Sequence, residues 1–145
     1  MKYKIIPLIC FFLTFPGCSS NVGSYIVPGA SIDSSLVYKI VPDQFDQRGL
    51  GQIIQRQLQE QGFNILLDTL GAIDNYDIKI VYGGQWQQDI TWYLLNVDIR
   101  FYEKESGLLL ASAYSYRTSL VRKKPEEIIN EAISKLLTSK QKDEK

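Results

Sequence analysis

The most constraining feature of the sequence is an alternation of apolar and polar residues that runs from Tyr93 to Phe101. The odd positions of this stretch are apolar, and polar residues separate the later ones: Asn96, Asp98 and Arg100. A repeat of two residues puts one set of side chains on a core and the other toward water, as in an antiparallel strand with one solvated face. A short charged segment then ends at Gly107, and an extended apolar run resumes at Leu108. The pattern therefore predicts a β-hairpin.

Flanking segments extend this hairpin into a small α+β domain. Runs rich in β-branched and aromatic residues predict three further strands: 36–41, 63–67 and 76–82. The glycine pair at 83–84 predicts a bulge or bend. Apolar residues recur at helical spacing between Asp46 and Gly62, and again after Pro125, which predicts two amphipathic helices. The order β-α-β-β-β-β-α predicts an α+β fold class, in which both helices pack on one face of a mainly antiparallel sheet.

The chain length allows one globular domain but not two, since there are 145 residues. We predict that the domain spans 36–137, which is about 100 residues and large enough for a core without disulfides. Residues 138–145 are all polar and are predicted to form a disordered tail. Residues 18–35 are rich in glycine, proline and serine and predict a flexible linker, within which 25–27 could instead form an edge strand.

The N-terminal segment has the features of an export signal. Lys2 and Lys4 precede an apolar stretch of eleven residues, which is shorter than the ~20 residues that cross a bilayer as a helix. We therefore predict a signal peptide at 1–17.

Residues 15–20, FPGCSS, resemble the lipobox of bacterial lipoproteins. The resemblance implies cleavage between Gly17 and Cys18 and acylation of Cys18, which would anchor the mature protein in a membrane. Ser19 is similar to the sorting signal that directs lipoproteins of Gram-negative bacteria to the outer membrane. The domain would then lie on the periplasmic face. The alternative is an ordinary secreted protein that is cut near Gly17 and keeps a free thiol.

Side-chain chemistry argues against catalysis. The chain has no histidine, and acylation would leave the mature protein without a thiol because Cys10 leaves with the leader. The commonest general base and the commonest non-serine nucleophile are therefore missing. Carboxylates that could serve a hydrolase lie near predicted strands or turns, but spacing does not show a catalytic pair: Asp74, Asp77, Asp89 and Asp98. We predict that the protein is not an enzyme and holds no cofactor or metal.

Net charge gives no support to nucleic-acid binding. The chain has 16 basic and 16 acidic residues, and removal of the leader takes away Lys2 and Lys4, leaving 14 basic against 16 acidic residues. Binding to a phosphate backbone depends on several clustered lysines and arginines, and no long basic stripe is present. Nucleic acid is therefore not a predicted partner.

The glycines at the start of the first predicted helix are candidates for a phosphate-binding site. Gly49 and Gly51 could bring backbone amides close to a phosphate group. Ile54 stands where the G-x-G-x-x-G fingerprint requires its third glycine. We therefore predict a flexible entry into the helix.

Aromatic residues and glutamines cluster around the predicted turn before Tyr93. The candidate binding residues are Tyr82, Trp86, Asp89, Trp92 and Tyr93, interspersed with Gln85, Gln87 and Gln88. Tryptophan and tyrosine beside side-chain amides can anchor a protein partner or stack on a sugar. Alternatively, the tryptophans pack on cross-strand neighbours and Asp89 caps the turn. The patch favours an envelope protein as partner, with a small ligand or glycan as the alternative.

Several segments together resemble a family of small envelope lipoproteins of Gram-negative bacteria. The resemblance depends on 76–80 (YDIKI), 86–94 (WxxDxxxYL), 99–102 (IxFY), Gly107 and 109–113 (LxAxA). It covers most of the chain from Leu36 to Leu137, and it implies a small α/β module in the cell envelope. It implies no catalytic residue.

Overall fold

A computed structural model describes residues 20–143, with side chains as far as Lys140. The strands are β1 Ser20–Ile26, β2 Val37–Ile40, β3 Asn64–Leu67, β4 Ile78–Gln88, β5 Trp92–Glu103 and β6 Leu109–Arg117, and the helices are α1 Leu50–Glu60 and α2 Pro125–Asp143. The strands form one sheet in the order β1-β6-β5-β4-β2-β3. Pairing is antiparallel from β1 to β4 and parallel among β4, β2 and β3. The predicted α+β fold class is confirmed.

The core lies between one face of the sheet and the two helices. Ile80, Phe101 and Ala111 are paired across three neighbouring strands and are almost wholly buried. The helices supply the opposing side chains: Ile54, Leu58, Ile129 and Ile133. Each large apolar side chain buried in this way stabilises the fold by about 1.5–3 kcal/mol. Both helices therefore cover the same face, and among residues 20–143 no helix covers the other face of the sheet.

The flexible linker predicted for 18–35 is wrong for Ser20–Ile26, and the alternative of an edge strand at 25–27 is the better prediction, although the strand begins earlier and ends at Ile26. Ser20–Ile26 is strand β1, an edge strand that pairs along its length with β6. Farther along, Ile32 is only 3% exposed and belongs to the core. The strand was concealed because four of its seven residues are serine, asparagine or glycine: Ser20, Asn21, Gly23 and Ser24. Its pairing with β6 satisfies a backbone edge that would otherwise be open. Gly17 and Cys18 lie outside the described residues, as does the predicted signal peptide 1–17.

The disordered C-terminal tail predicted at 138–145 is wrong for residues 138–143, which belong to helix α2; residues 144–145 lie outside the described residues. The Thr138 hydroxyl donates to the carbonyl oxygen of Ser134 at 2.8 Å, and the hydroxyls of Ser139 and Ser24 lie 2.8 Å apart. These contacts let a polar segment continue α2 over strand β1.

Strand β4 continues six residues beyond Tyr82, where the sequence pattern predicted its end. The register with β5 shifts between Gln85 and Trp86, because Trp86 pairs with Leu94 whereas Gln85 pairs with Asn96. Leu95 is therefore the extra residue of a β-bulge, just beyond the predicted bulge at 83–84. The bulge reverses the alternation of β5, so Leu94 takes a core position at 1% exposure.

Candidate functional site

The tip of the β4–β5 hairpin extends beyond the rest of the sheet. Trp86 to Gln88 pair with Trp92 to Leu94, and no other described strand pairs with these residues. We call residues 86–94 the hairpin arm. It contains four of the five predicted binding residues, all except Tyr82.

The two tryptophans lie on the helix side of the hairpin arm. Trp86 is opposite Leu94, and Trp92 lies two residues before Leu94, so all three share one side. Trp86 is partly buried and packs against the core, whereas Trp92 is 47% exposed. The guanidinium of Arg48 lies 4.0 Å from the ring centroid of Trp92 and 5.4 Å from that of Trp86. This cation–π contact covers ring surface that a sugar would otherwise stack on.

On the other side of the hairpin arm, Arg122 makes a matching contact. Its guanidinium lies 4.1 Å from the ring centroid of Tyr93, which is only 7% exposed. Arg122 also donates a hydrogen bond of 2.6 Å to the Asp89 carboxylate, which raises the pKa of Arg122. The backbone N–H of Asp89 donates to the Thr91 carbonyl within the turn, at 3.2 Å. Two arginines from different loops thus hold the arm from opposite sides.

Tyr82 does not belong to the hairpin arm and is a structural residue. It is 6% exposed, and its hydroxyl donates to Asp46 Oδ2 at 2.8 Å and accepts from the Asp43 N–H at 3.2 Å. Asp46 also accepts the backbone N–H groups of Leu50 and Gly51, at 2.9 and 2.8 Å. Desolvation opposes ionisation of Asp46, but these hydrogen bonds outweigh it and lower the pKa of Asp46.

The same network explains the glycines at the start of α1. Desolvation raises the pKa of the Tyr82 hydroxyl, so that it stays a hydrogen-bond donor to Asp46. Gly49 has a positive φ of 71° and lies immediately before the helix. At Gly51 an added Cβ would lie 2.5 Å from the Tyr82 hydroxyl. The glycines allow close approach of the helix to Tyr82, which is a packing role.

A shallow depression of about 450 Å³ lies between the hairpin arm and the loop that follows β6. It is lined by Thr91, Trp92, Tyr93, Arg122, Lys123, Lys124, Pro125 and Glu127. Two of the predicted binding residues, Trp92 and Tyr93, thus line this concave surface.

The helix-free face of the sheet carries a second aromatic surface, which sequence reasoning missed. Tyr25, Tyr114 and Tyr116 lie on β1 and β6 and are 55%, 39% and 45% exposed. We call these residues the tyrosine face. Tyr114 is opposite Gly23, where an added Cβ would lie 2.4 Å from its ring, so the ring lies flat over the glycine backbone. The alternation of Tyr114 and Tyr116 in the sequence was a usable signal, but the strand beside them was not recognised.

Three of the four candidate carboxylates are engaged in separate contacts. Asp77 Oδ2 accepts the Val37 N–H at 2.8 Å, Asp89 binds Arg122, and Asp98 lies 2.7 Å from Arg100. Within the part of the chain that the structure describes, no group of three or more acidic, histidine or cysteine residues is placed to hold a metal ion.

The sequence did not predict the contacts of Arg48 and Arg122, because each is distant in sequence from the aromatic ring that it contacts.

Between residues 20 and 143, no helix has the length and apolar character needed to cross a membrane.

Comparison with solved structures identifies the fold. The chain is similar to the PelC dodecamer from Paraburkholderia phytofirmans, with 15% identity and a TM-score of 0.58 over 83% of this chain and 96% of that one. A single-substitution variant of that PelC dodecamer gives 11% identity and the same TM-score of 0.58, over 81% of this chain and 97% of that one. A minor lipoprotein from Acinetobacter baumannii is 17% identical over 74% of this chain and 92% of that one, with a TM-score of 0.32. No family model matches the sequence, and neither does any curated protein. The TM-score of 0.58 shows that this chain and PelC share a fold.

Proposed function

We propose that the protein is a lipoprotein of the bacterial envelope that acts by binding another protein. Its anchor is acylated Cys18, and its domain faces the periplasm from the outer membrane. The lipobox-like residues 15–20 support the anchor, and Ser19 supports the outer membrane. Two or more acyl chains suffice for stable anchoring.

The observation that carries the binding role is the tyrosine face. Tyr25, Tyr114 and Tyr116 present exposed rings on an edge strand and its neighbour, on a sheet face without a helix. Tyrosine is enriched at protein interfaces because it offers a large contact area with few rotatable bonds and a hydrogen-bonding hydroxyl. Strand β1 adds a sheet edge, which can accept a further strand.

The first partner that we propose is a second copy of the chain. The likeness to PelC is to a dodecamer, and it extends over 96% of that chain. A domain with a free edge and an aromatic face has surfaces suited to repeated self-association. An accessory role within an envelope assembly follows from this arrangement, and binding rather than catalysis is its activity.

The anchor is tested by Cys18→Ala. We expect the wild-type protein to sediment with membranes and its intact mass to include the acyl groups, whereas the variant loses the acylated species. Wild-type protein of unmodified mass at its N-terminus would refute lipid anchoring.

Self-association is tested by placing charge on the tyrosine face. The variant Tyr25→Glu/Tyr116→Glu is compared with Asn130→Glu, which adds charge on the exposed surface of α2. Mass photometry in mild detergent should show oligomers for the wild type and for Asn130→Glu, but monomers for the double variant. Circular dichroism checks that each variant is folded. Monomeric wild-type protein would refute the second copy as partner.

A small ligand or glycan is the second candidate. The depression beside Trp92 and Tyr93 favours it, since aromatic rings there meet cationic side chains at a concave surface. Titration of tryptophan emission with oligosaccharides tests this alternative. A saturable change in tryptophan emission that is lost in Trp92→Ala would support binding of a small ligand or glycan. Emission that does not change on titration would refute this alternative.

A further inference from the structure

Three separate segments meet at one end of the sheet. Strand β1 begins there, because Ser20 pairs with Arg117, the last residue of β6. The loop 118–124 follows directly, and the salt bridge between Arg122 and Asp89 brings it to the turn of the hairpin arm. We call this region, with the start of β1, the loop 118–124 and the turn 89–91, the anchor end.

The anchor end exposes large apolar side chains at its outermost points. Ile90, in the turn, is 93% exposed, and Leu120, in the loop, is 80% exposed. Trp92 is 47% exposed beside them. A tryptophan next to protruding aliphatic residues is the combination found at the boundary between headgroups and acyl chains.

Cations surround these apolar side chains. Four cations lie in this region, Arg48, Arg122, Lys123 and Lys124, against three carboxylates, Asp89, Glu127 and Glu131. Arg122 pairs with Asp89 and Lys123 with Glu131. Acidic residues outnumber basic ones over the mature chain, 16 to 14, so the excess of cations here is a local asymmetry. Basic residues close to a membrane are attracted to anionic phospholipids.

The distance from Cys18 to the sheet is short. Cys18 lies two residues before Ser20, so its Cα is at most about 7 Å from that of Ser20 in any conformation. The pairing of Ser20 with Arg117 places Ser20 level with the base of the hairpin arm, near Leu94. Ile90 lies four positions beyond Leu94, which corresponds to at most about 13 Å at the rise of a strand. The hairpin arm thus extends farther than the segment that joins the domain to its lipid.

From these observations we propose that the anchor end is a membrane-contact surface, on which Ile90, Trp92 and Leu120 enter the headgroup region of a bilayer containing anionic phospholipid. This inference rests on the proposed acylation of Cys18. It goes beyond that anchor because it fixes which end of the domain touches the bilayer, and it leaves the tyrosine face free for a protein.

The two tryptophans of the chain both lie in the hairpin arm, so their emission reports on it directly. In Trp86→Phe, Trp92 is the sole tryptophan, and excitation beyond the absorption of tyrosine selects its emission. We would reconstitute the mature lipoprotein in vesicles of phosphatidylethanolamine and phosphatidylglycerol, with or without bromine on the acyl chains. We expect bromine on the acyl chains to quench the emission of Trp92. We also expect the emission maximum of the protein in vesicles to lie at a shorter wavelength than that of the protein in detergent-free buffer.

Variants locate the contact. Adding Ile90→Asp and Leu120→Asp should restore emission, whereas Leu108→Asp should not, because Leu108 is 65% exposed at the opposite end of the sheet. Should Trp86→Phe fold poorly, a nitroxide on Ile90→Cys gives a second reading, since acylation leaves no other thiol in the mature chain. In vesicles, the nitroxide at position 90 should be accessible to oxygen and shielded from polar relaxation agents.

The outcomes separate this inference from the proposed function. Intact mass establishes whether Cys18 is acylated. Acylated protein whose Trp92 emission is the same in both kinds of vesicle would overturn the membrane-contact surface and leave the anchor standing. If Trp92 emission is the same in both kinds of vesicle, and the residues of the anchor end are shielded from solvent when copies of the chain associate, the anchor end is an interface between copies. Unacylated protein would overturn both.

Discussion

Substitution of Gly51 by alanine should destabilise the protein, although the same change in an unobstructed helix would stabilise it. Alanine is favoured over glycine in a helix interior by about 1 kcal/mol. At Gly51, however, the new Cβ would lie 2.5 Å from the Tyr82 hydroxyl and 2.9 Å from the ring carbon that bears it. Tyr82 must therefore move, and its hydrogen bond of 2.8 Å to Asp46 is lost or strained.

The magnitude follows from three contributions. Overpacking of a buried site costs about 1–3 kcal/mol, and a hydrogen bond to a charged group contributes about 1.5–3 kcal/mol. Against these stands the gain in helix propensity of about 1 kcal/mol. We expect Gly51→Ala to lower the free energy of unfolding by about 2–3 kcal/mol. For a domain of this size the midpoint of thermal unfolding should fall by roughly 10 °C.

Urea unfolding followed by circular dichroism measures this cost, and a double-mutant cycle with Tyr82→Phe identifies its origin. Without the hydroxyl, the closest contact and the hydrogen bond are both absent, so Gly51→Ala should cost less in the Tyr82→Phe background. Gln52→Ala, at an exposed position of α1, is the matched control and should change stability by less than about 0.5 kcal/mol. If Gly51→Ala stabilised the protein in both backgrounds, the packing argument would be refuted.

Three further predictions concern the charged contacts. Because its pKa is lowered, the Asp46 carboxylate stabilises the fold above its unfolded pKa of about 4, and this contribution is lost as pH falls through the folded value. Acid titration should therefore show the stability gap between wild type and Asp46→Asn closing toward low pH, and a gap independent of pH would contradict this. Glu131→Ala should cost about 3 kcal/mol in chemical denaturation, because it leaves the Arg117 guanidinium, 4% exposed, without its carboxylate; a cost near zero would show that water replaces Glu131. Arg48→Ala should shift Trp92 emission to the red and change stability by under about 1 kcal/mol, whereas unchanged emission would argue against the cation–π contact.

Segments with a strong repeat were predictable from the sequence. The alternation before Phe101, the helical spacing after Pro125 and the stop at Gly62 each indicate local structure that the fold retains. Gly62 has φ of 87°, which is why a glycine is favoured after α1. Periodic burial against one core is a local signal, so these elements and the fold class could be predicted.

Features that depend on distant partners were not predictable. Strand β1 is specified by β6, at the other end of the chain, and its own residues look like a linker. The extra residue at Leu95 moved the alternation by one position, so Leu94 rather than Leu95 faces the core. At the candidate site, the sequence indicated the aromatic residues but not Arg48, because a cation–π contact leaves no periodic pattern.

The pairing of β1 with β6 sets an order of events during synthesis and folding. Ser20 and Arg117 are joined across a loop of roughly one hundred residues, which makes this among the most sequence-distant pairings of the sheet. Strand β1 must therefore wait, once synthesised, until nearly all of the chain up to β6 has followed. Completion of the sheet is a late step of folding, and premature arrest of synthesis would leave β1 without its partner strand and with an open hydrogen-bonding edge, a species prone to aggregation.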